Sequence, residues 1–163
     1  MTGPGGIMRD VADAVEPEVL SASVSYRIRL LQIASYKAFE QQVKGFGTAP
    51  RYFGMLKLIE ANPGIPQTRL AEAIFLDRSS LVPILDALTR EGWVERRSTP
   101  KDKRVRRVFL TAHGALQLAG LETEVNAHEA MVTAGLSAEE KAQLLALLAR
   151  VDGNLRAAHG MTR

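Results

Sequence analysis

Residues 96–111 read RRSTPKDKRVRRVFLT and hold the densest chemistry in the chain. Seven of the twelve positions from Arg96 to Arg107 are basic: Arg96, Arg97, Lys101, Lys103, Arg104, Arg106 and Arg107. The single acid among them is Asp102. Guanidinium and ammonium groups at that density attract phosphate. Taken alone, the run fits both a finger that reaches for a polyanion and a plain solvated hairpin. The charge elsewhere favours the finger. Residues 50–111 hold 12 basic against 7 acidic residues, while the rest of the chain holds 9 against 11. The net +3 is therefore a focused basic region on a mildly acidic body.

No catalytic constellation competes with this reading. His113, His128 and His159 have no partner at i+4 and no acidic pattern suited to a metal, so they read as surface or interface residues. There is no G-x-S-x-G, no phosphate-binding glycine loop and no paired-carboxylate motif, so no enzyme and no cofactor are expected. The absence of cysteine excludes disulfides and thiol chemistry within the chain. No apolar run approaches the roughly 18 residues of a membrane span. The opening MTGPGGIMRD lacks a signal-peptide pattern and reads as a loose tail. A cytoplasmic protein without a membrane partner is expected.

The elements that must position the basic run follow from periodicity and caps. Leu20, Val24, Ile28, Leu31, Tyr36 and Phe39 recur at helical spacing and predict one long helix over 17–44. Thr48 and Pro50 suit the start of a second helix. Pro66 opens a short third one, QTRLAEAI. Asp77 is a strong N-cap for the next, with Leu76 and Leu81 as a hydrophobic staple and Leu81, Leu85 and Leu88 as its buried stripe. Gly92 stops it. WVERRS and RRVFLT then read as two strands around the basic loop. Two further helices are predicted over 112–133 and 137–157, the second opened by the capping box Ser137 and Glu140. Its Leu144, Leu145, Leu147, Leu148 and Val151 cover more than one narrow stripe, which predicts burial against a second copy. The fold class is mainly α: a winged helix-turn-helix with a small β-hairpin wing and long terminal helices. Arg78, Ser79, Ser80, Val82 and Pro83 fall off the leucine stripe and are candidates for DNA contact, although the two serines also suit the cap. Pro83 lies inside that helix and is expected to bend it or disturb its first turn.

The stretch LAEAIFLDRSSLVPILDALTREGWVERRSTPKDKRVRRVFLTAHG resembles the core of the MarR family of bacterial transcription regulators. Its wing signature reads Asp102, Arg104, Leu110, Thr111 and Gly114. The resemblance implies four parts: a tail over 1–17, a dimerisation helix over 18–47, the winged helix-turn-helix over 48–111 and C-terminal dimerisation helices over 112–163. It also implies a homodimer on a palindromic operator in double-stranded DNA. Arg96, Arg97, Lys101, Lys103, Arg104 and Arg106 would form the DNA-binding wing, with Asp102 pinning it through a nearby Arg and Arg104 at the minor groove. Many relatives release DNA on binding a small ligand, which implies an aromatic acid or acyl thioester as effector. Tyr26, Arg29, Ile33, Tyr36, Tyr52 and Met55 are the candidates to line its pocket, and each also suits the core or the dimer interface. With Val24 and Ser25 where one branch of the family has a sensing cysteine, thiol-based peroxide sensing is excluded. The competing class is a winged-helix module for protein contact or non-specific nucleic-acid binding, without an effector.

Overall fold

A computed structural model describes residues 15–99 and 102–158, with the backbone alone described at 99 and 102–105. Contacts divide the chain into two compact units, 1–125 and 126–163.

The first unit opens with α1 (Glu18–Ser21) and α2 (Val24–Gln42). The single helix predicted over 17–44 is thus broken. Ser23 adopts an extended backbone, and its hydroxyl accepts the Tyr26 amide at 3.2 Å. That is an N-cap, and it starts a new helix where apolar periodicity alone would continue the old one. After α2 the chain turns through Gly45 and Gly47, both at positive φ. A 3-10 turn (Ala49–Tyr52) leads into α3 (Phe53–Ala61). Thr48 does not cap this segment. Its amide and hydroxyl donate instead to the Glu91 carboxylate, at 3.0 and 3.1 Å.

A two-residue strand, β1 (Ile65–Pro66), precedes α4 (Gln67–Ala73) and α5 (Arg78–Arg90). Too short to show alternation, β1 has no signature in the sequence. Leu81, Leu85 and Leu88 are fully buried along α5, as their spacing predicts. The helix stays continuous through Pro83, whose missing amide faces the Ser79 carbonyl one turn earlier. It ends in a Schellman turn. Gly92 sits at φ +79°, its amide donates to the Thr89 carbonyl, and the Trp93 amide reaches the Leu88 carbonyl at 2.9 Å. Then come β2 (Val94–Thr99) and β3 (Asp102–Leu110), which pair antiparallel. β1 adds to the other edge of β3, giving the order β1-β3-β2.

Leu56, Ile59, Leu70, Leu81, Leu85, Leu88, Val94 and Val108 form one core with Leu118 and Leu121 of α6 (Ala112–Val132). Each fully buried side chain of this size stabilises the fold by roughly 1.5–3 kcal/mol. α6 starts hard against the sheet. The Thr111 hydroxyl accepts the Gly114 amide at 2.8 Å, and a Cβ on Gly114 would meet the Trp93 carbonyl oxygen at 2.0 Å. No other residue fits there.

The second unit contains the end of α6, a turn at Gly135 and α7 (Ala138–Ala158). The predicted capping box is present: the Glu140 amide donates to the Ser137 hydroxyl, and the Ser137 amide to the Glu140 carboxylate. An ion pair between Lys141 and Glu129, at 2.7 Å, joins α7 to α6 within this unit. No residue of α7 is buried.

Candidate nucleic-acid interface and adjoining cavity

α4 and α5 form a helix-turn-helix whose second member presents its N-terminus outward. Asp77 organises that end. One carboxylate oxygen accepts the Ser79 hydroxyl at 2.6 Å and the Ser80 amide at 2.7 Å. Those donations, the Ser79 hydroxyl first, hold the Asp77 carboxyl below the usual carboxylate range. The cap role weighed for the two serines is therefore real, and it fixes their orientation. Arg78, Ser79, Ser80 and Pro83 are exposed, whereas Val82 is half-buried. With the positive end of the helix dipole beneath them, these groups form a surface suited to an anion.

The strands carry their arginines on alternate faces. Arg96 and Arg106 share the face of the buried Val94 and Val108, while Arg97 lies opposite Arg107 on the other. Arg96 is expected from sequence as a wing contact, but it turns inward and donates to Asp86 of α5 at 2.5 Å. This ion pair fastens the wing to α5. Arg97 pairs with Glu95 and stacks over the Phe109 ring, 5.0 Å from its centroid. Arg107 donates to the Gly64 carbonyl at 2.9 Å, which anchors β3 to the chain leading into β1. Three of the seven bases thus stiffen the wing, and Arg106 is exposed. At the far end the register breaks. Ser98 faces Arg106 but Thr99 faces Asp102, so Lys103, Arg104 and Val105 bulge out of the ladder. Lys101 lies outside the described residues, and the side chains of Asp102, Lys103 and Arg104 do too. Asp86 was missed in the sequence because nothing local links it to a strand ten residues later.

A cavity of about 420 Å³ opens between α2 and the start of α3. It is lined by Tyr36, Phe39, Glu40 and Val43 of α2 and its end, by Gly47 and Thr48 of the loop, and by Pro50, Arg51 and Tyr52. Of the residues expected to line a pocket, Tyr36 and Tyr52 do so. Tyr26, Arg29 and Ile33 lie earlier on α2 and do not border it, and Met55 is buried in the core. The cavity's charged groups are instead Arg51 and Glu40. The Arg51 Nε donates to the Tyr36 hydroxyl at 2.5 Å, its guanidinium lies over the Tyr36 ring, and its terminal nitrogen reaches Glu40 at 3.3 Å. Burial and the hydrogen bond with Glu40 push the Tyr36 phenol up. The Tyr36 hydroxyl, then Arg51, holds the Glu40 carboxyl down. The Tyr36 contact likewise raises Arg51. A cation held at an aromatic mouth is a receptor for a carboxylate or another delocalised anion. Among the described residues no cluster of His, Asp or Glu could hold a metal, and no helix is long and apolar enough to cross a membrane.

A capped, outward-facing helix followed by a basic hairpin defines the winged helix of DNA-binding regulators. Residues 50–105 match the model of the MarR family. A protein of Thauera aromatica assigned as the transcriptional regulator for the hcr operon is 32% identical over 143 residues, 87% of this chain and 86% of that protein. The repressor CouR bound to a 23-mer DNA duplex superposes with a TM-score of 0.79 at 30% identity, over 85% of this chain and 99% of that one. CouR bound to p-coumaroyl-CoA gives 0.71 at 28%, over 85% and 98%. The regulator PcaV of Streptomyces coelicolor with its natural ligand gives 0.75 at 28%, over 86% and 96%. The chain belongs to the MarR family of transcription regulators. It is a DNA-binding regulator and not an enzyme.

Proposed function

We propose that the protein is a homodimeric repressor that places one winged helix on each half of a palindromic operator and is released by an aromatic acid or its acyl thioester. Arg78, Ser79, Ser80 and Pro83, with Val82 behind them, face the major groove. Arg104 enters the minor groove from the wing, with Arg97, Lys101, Lys103 and Arg106 near phosphates. Arg96 and Asp86 hold the wing at its angle. As a regulator of DNA, the protein works in the cytoplasm.

The observation that carries the effector reading is the cavity beside Arg51, in the same compact unit as the winged helix. Its volume falls within the range of small-molecule sites, roughly 300–1,000 Å³. It accommodates an aromatic acyl group, while a nucleotide carried on a thioester would extend into solvent. Phe39, Val43, Pro50 and Tyr52 supply apolar walls, and Arg51 supplies the charge. An entering anion competes with Glu40 for Arg51. That CouR takes p-coumaroyl-CoA and PcaV takes a ligand of its own supports this chemistry. The dimer reading rests on α7, where Leu144, Leu145, Leu147, Leu148 and Leu155 are each more than two-fifths exposed.

The test is fluorescence anisotropy on DNA from upstream of the protein's own gene, titrated with p-coumarate and with p-coumaroyl-CoA. Affinity should fall about 5–150-fold, the range of ordinary allosteric coupling. Arg51→Ala should lose that response. An Arg51→Ala protein that responds like wild type refutes the assignment of the cavity.

A further inference from the structure

The loop over residues 43–48 has two sides. Val43, Gly47 and Thr48 form part of the cavity wall. The same loop also grips the end of α5. The Thr48 amide and hydroxyl both donate to one oxygen of Glu91, at 3.0 and 3.1 Å. Gly47 lies so close that a Cβ there would stand 2.5 Å from that oxygen. The Phe46 ring packs on Trp93 with centroids 6.5 Å apart. Glu91 is the C-cap of α5, and Trp93 is the last residue before β2. The loop therefore touches the chain at the joint between the two elements that face DNA.

We propose that the Thr48–Glu91 link is the coupling between effector and operator: a ligand filling the cavity displaces Gly47 and Thr48, releases Glu91 and re-aims α5 and the wing together. The reason lies in rigidity. α5 spans 13 residues, about 20 Å, with its leucines locked in the core, so a shift at one end is felt at the other. Only Glu91, Gly92 and Trp93 lie between the end of α5 and the start of β2, and the loop contacts the first and the last of them. Glu91 borders neither the cavity nor the proposed DNA surface, so a change in operator affinity on its removal comes through the link and not from a lost ligand or DNA contact. The link gives the cavity a mechanical output and rests on that cavity being the effector site.

The experiment uses the full chain carrying Glu91→Ala or Glu91→Gln. Circular dichroism checks helix content, and calorimetry measures binding of p-coumarate and p-coumaroyl-CoA. Anisotropy on upstream DNA measures the operator affinity with and without each probe. Glu91→Ala should bind probe within about threefold of wild type, while its operator affinity without probe is already lowered towards that of liganded wild type and its further response to probe falls to less than twofold. Glu91→Gln keeps an acceptor oxygen for Thr48 without the charge and should respond at an intermediate level. Full response in both variants overturns the coupling and leaves the cavity assignment standing. Probe binding by neither wild type nor variants overturns the cavity assignment and the coupling with it.

Discussion

Leucines behave oppositely in the two compact units. Leu81, Leu85 and Leu88 of α5 are fully buried, whereas Leu145 and Leu155 of α7 are each 57% exposed. Both helices are rich in the same residue type, and both begin with a well-formed cap. The difference is therefore not helix propensity. α5 meets α4, β2 and the core within its own unit, while α7 has no buried residue at all. A completed core and an unfilled face have different consequences when damaged. Loss of packing in the first lowers fold stability, and on the proposed dimer loss of apolar surface in the second should lower association.

The largest expected effect follows directly. Leu145→Asp with Leu148→Asp should abolish the dimer by sedimentation, with the secondary structure retained. The operator affinity should then fall by 100-fold or more, since each half-site is held alone. Leu85→Ala should do the reverse, destabilising the fold by roughly 2–5 kcal/mol without shifting the dimer dissociation constant at low temperature. A folded dimer carrying both aspartates would remove α7 from the interface.

An intermediate effect is expected within the wing. Arg104→Ala should flatten the slope of log affinity against log salt by up to ~2 units for a dimer. Arg104→Lys should keep the slope and lose any preference for A·T-rich flanks. Asp86→Ala should lower operator affinity through a loosened wing while leaving the salt slope close to wild type, because Arg96 is turned inward. Equal salt slopes for Arg104→Ala and wild type would return the loop to a solvated hairpin.

The smallest effect concerns the cap of α5. Asp77 is depressed in the folded protein, so its contribution is fully present above the ordinary Asp value, near about pH 4, and is lost as pH falls through the lower folded value. Asp77→Asn should therefore be less stable than wild type near neutrality and converge with it in acid, which flattens the acid limb of the melting temperature. An unchanged acid limb would detach the cap from acid stability.

What was legible in the sequence was local. Asp77 before a leucine stripe, Gly92 after it, and Ser137 three residues before Glu140 each announce an element within a few positions, and each appears as read. The break at Ser23 was hidden because apolar periodicity runs across it. β1 was hidden because two residues, one of them a proline, show no alternation. The cavity was only half legible. Tyr36 and Tyr52 could be named from the segments that carry them, whereas Arg29 was the arginine named and Arg51 is the one that borders this cavity. Nothing local distinguishes those arginines. What selects Arg51 is its contact with Tyr36 and Glu40, across the turn made by Gly45 and Gly47. Asp86 with Arg96 and Thr48 with Glu91 are long-range pairs of the same kind.

The most direct measurement of the central claim is selection of bound duplexes from a random DNA pool by the wild-type protein, followed by sequencing. A dimer with one recognition helix per half-site should enrich two inverted half-sites whose centres lie about 10–10.5 base pairs apart, or a multiple of that. At about 0.15 M salt the selected duplex should bind at least ~10³-fold more tightly than unrelated DNA. Enrichment of no common sequence, with equal affinity for selected and unrelated duplexes, would contradict a sequence-specific regulator and leave a winged helix that only coats nucleic acid.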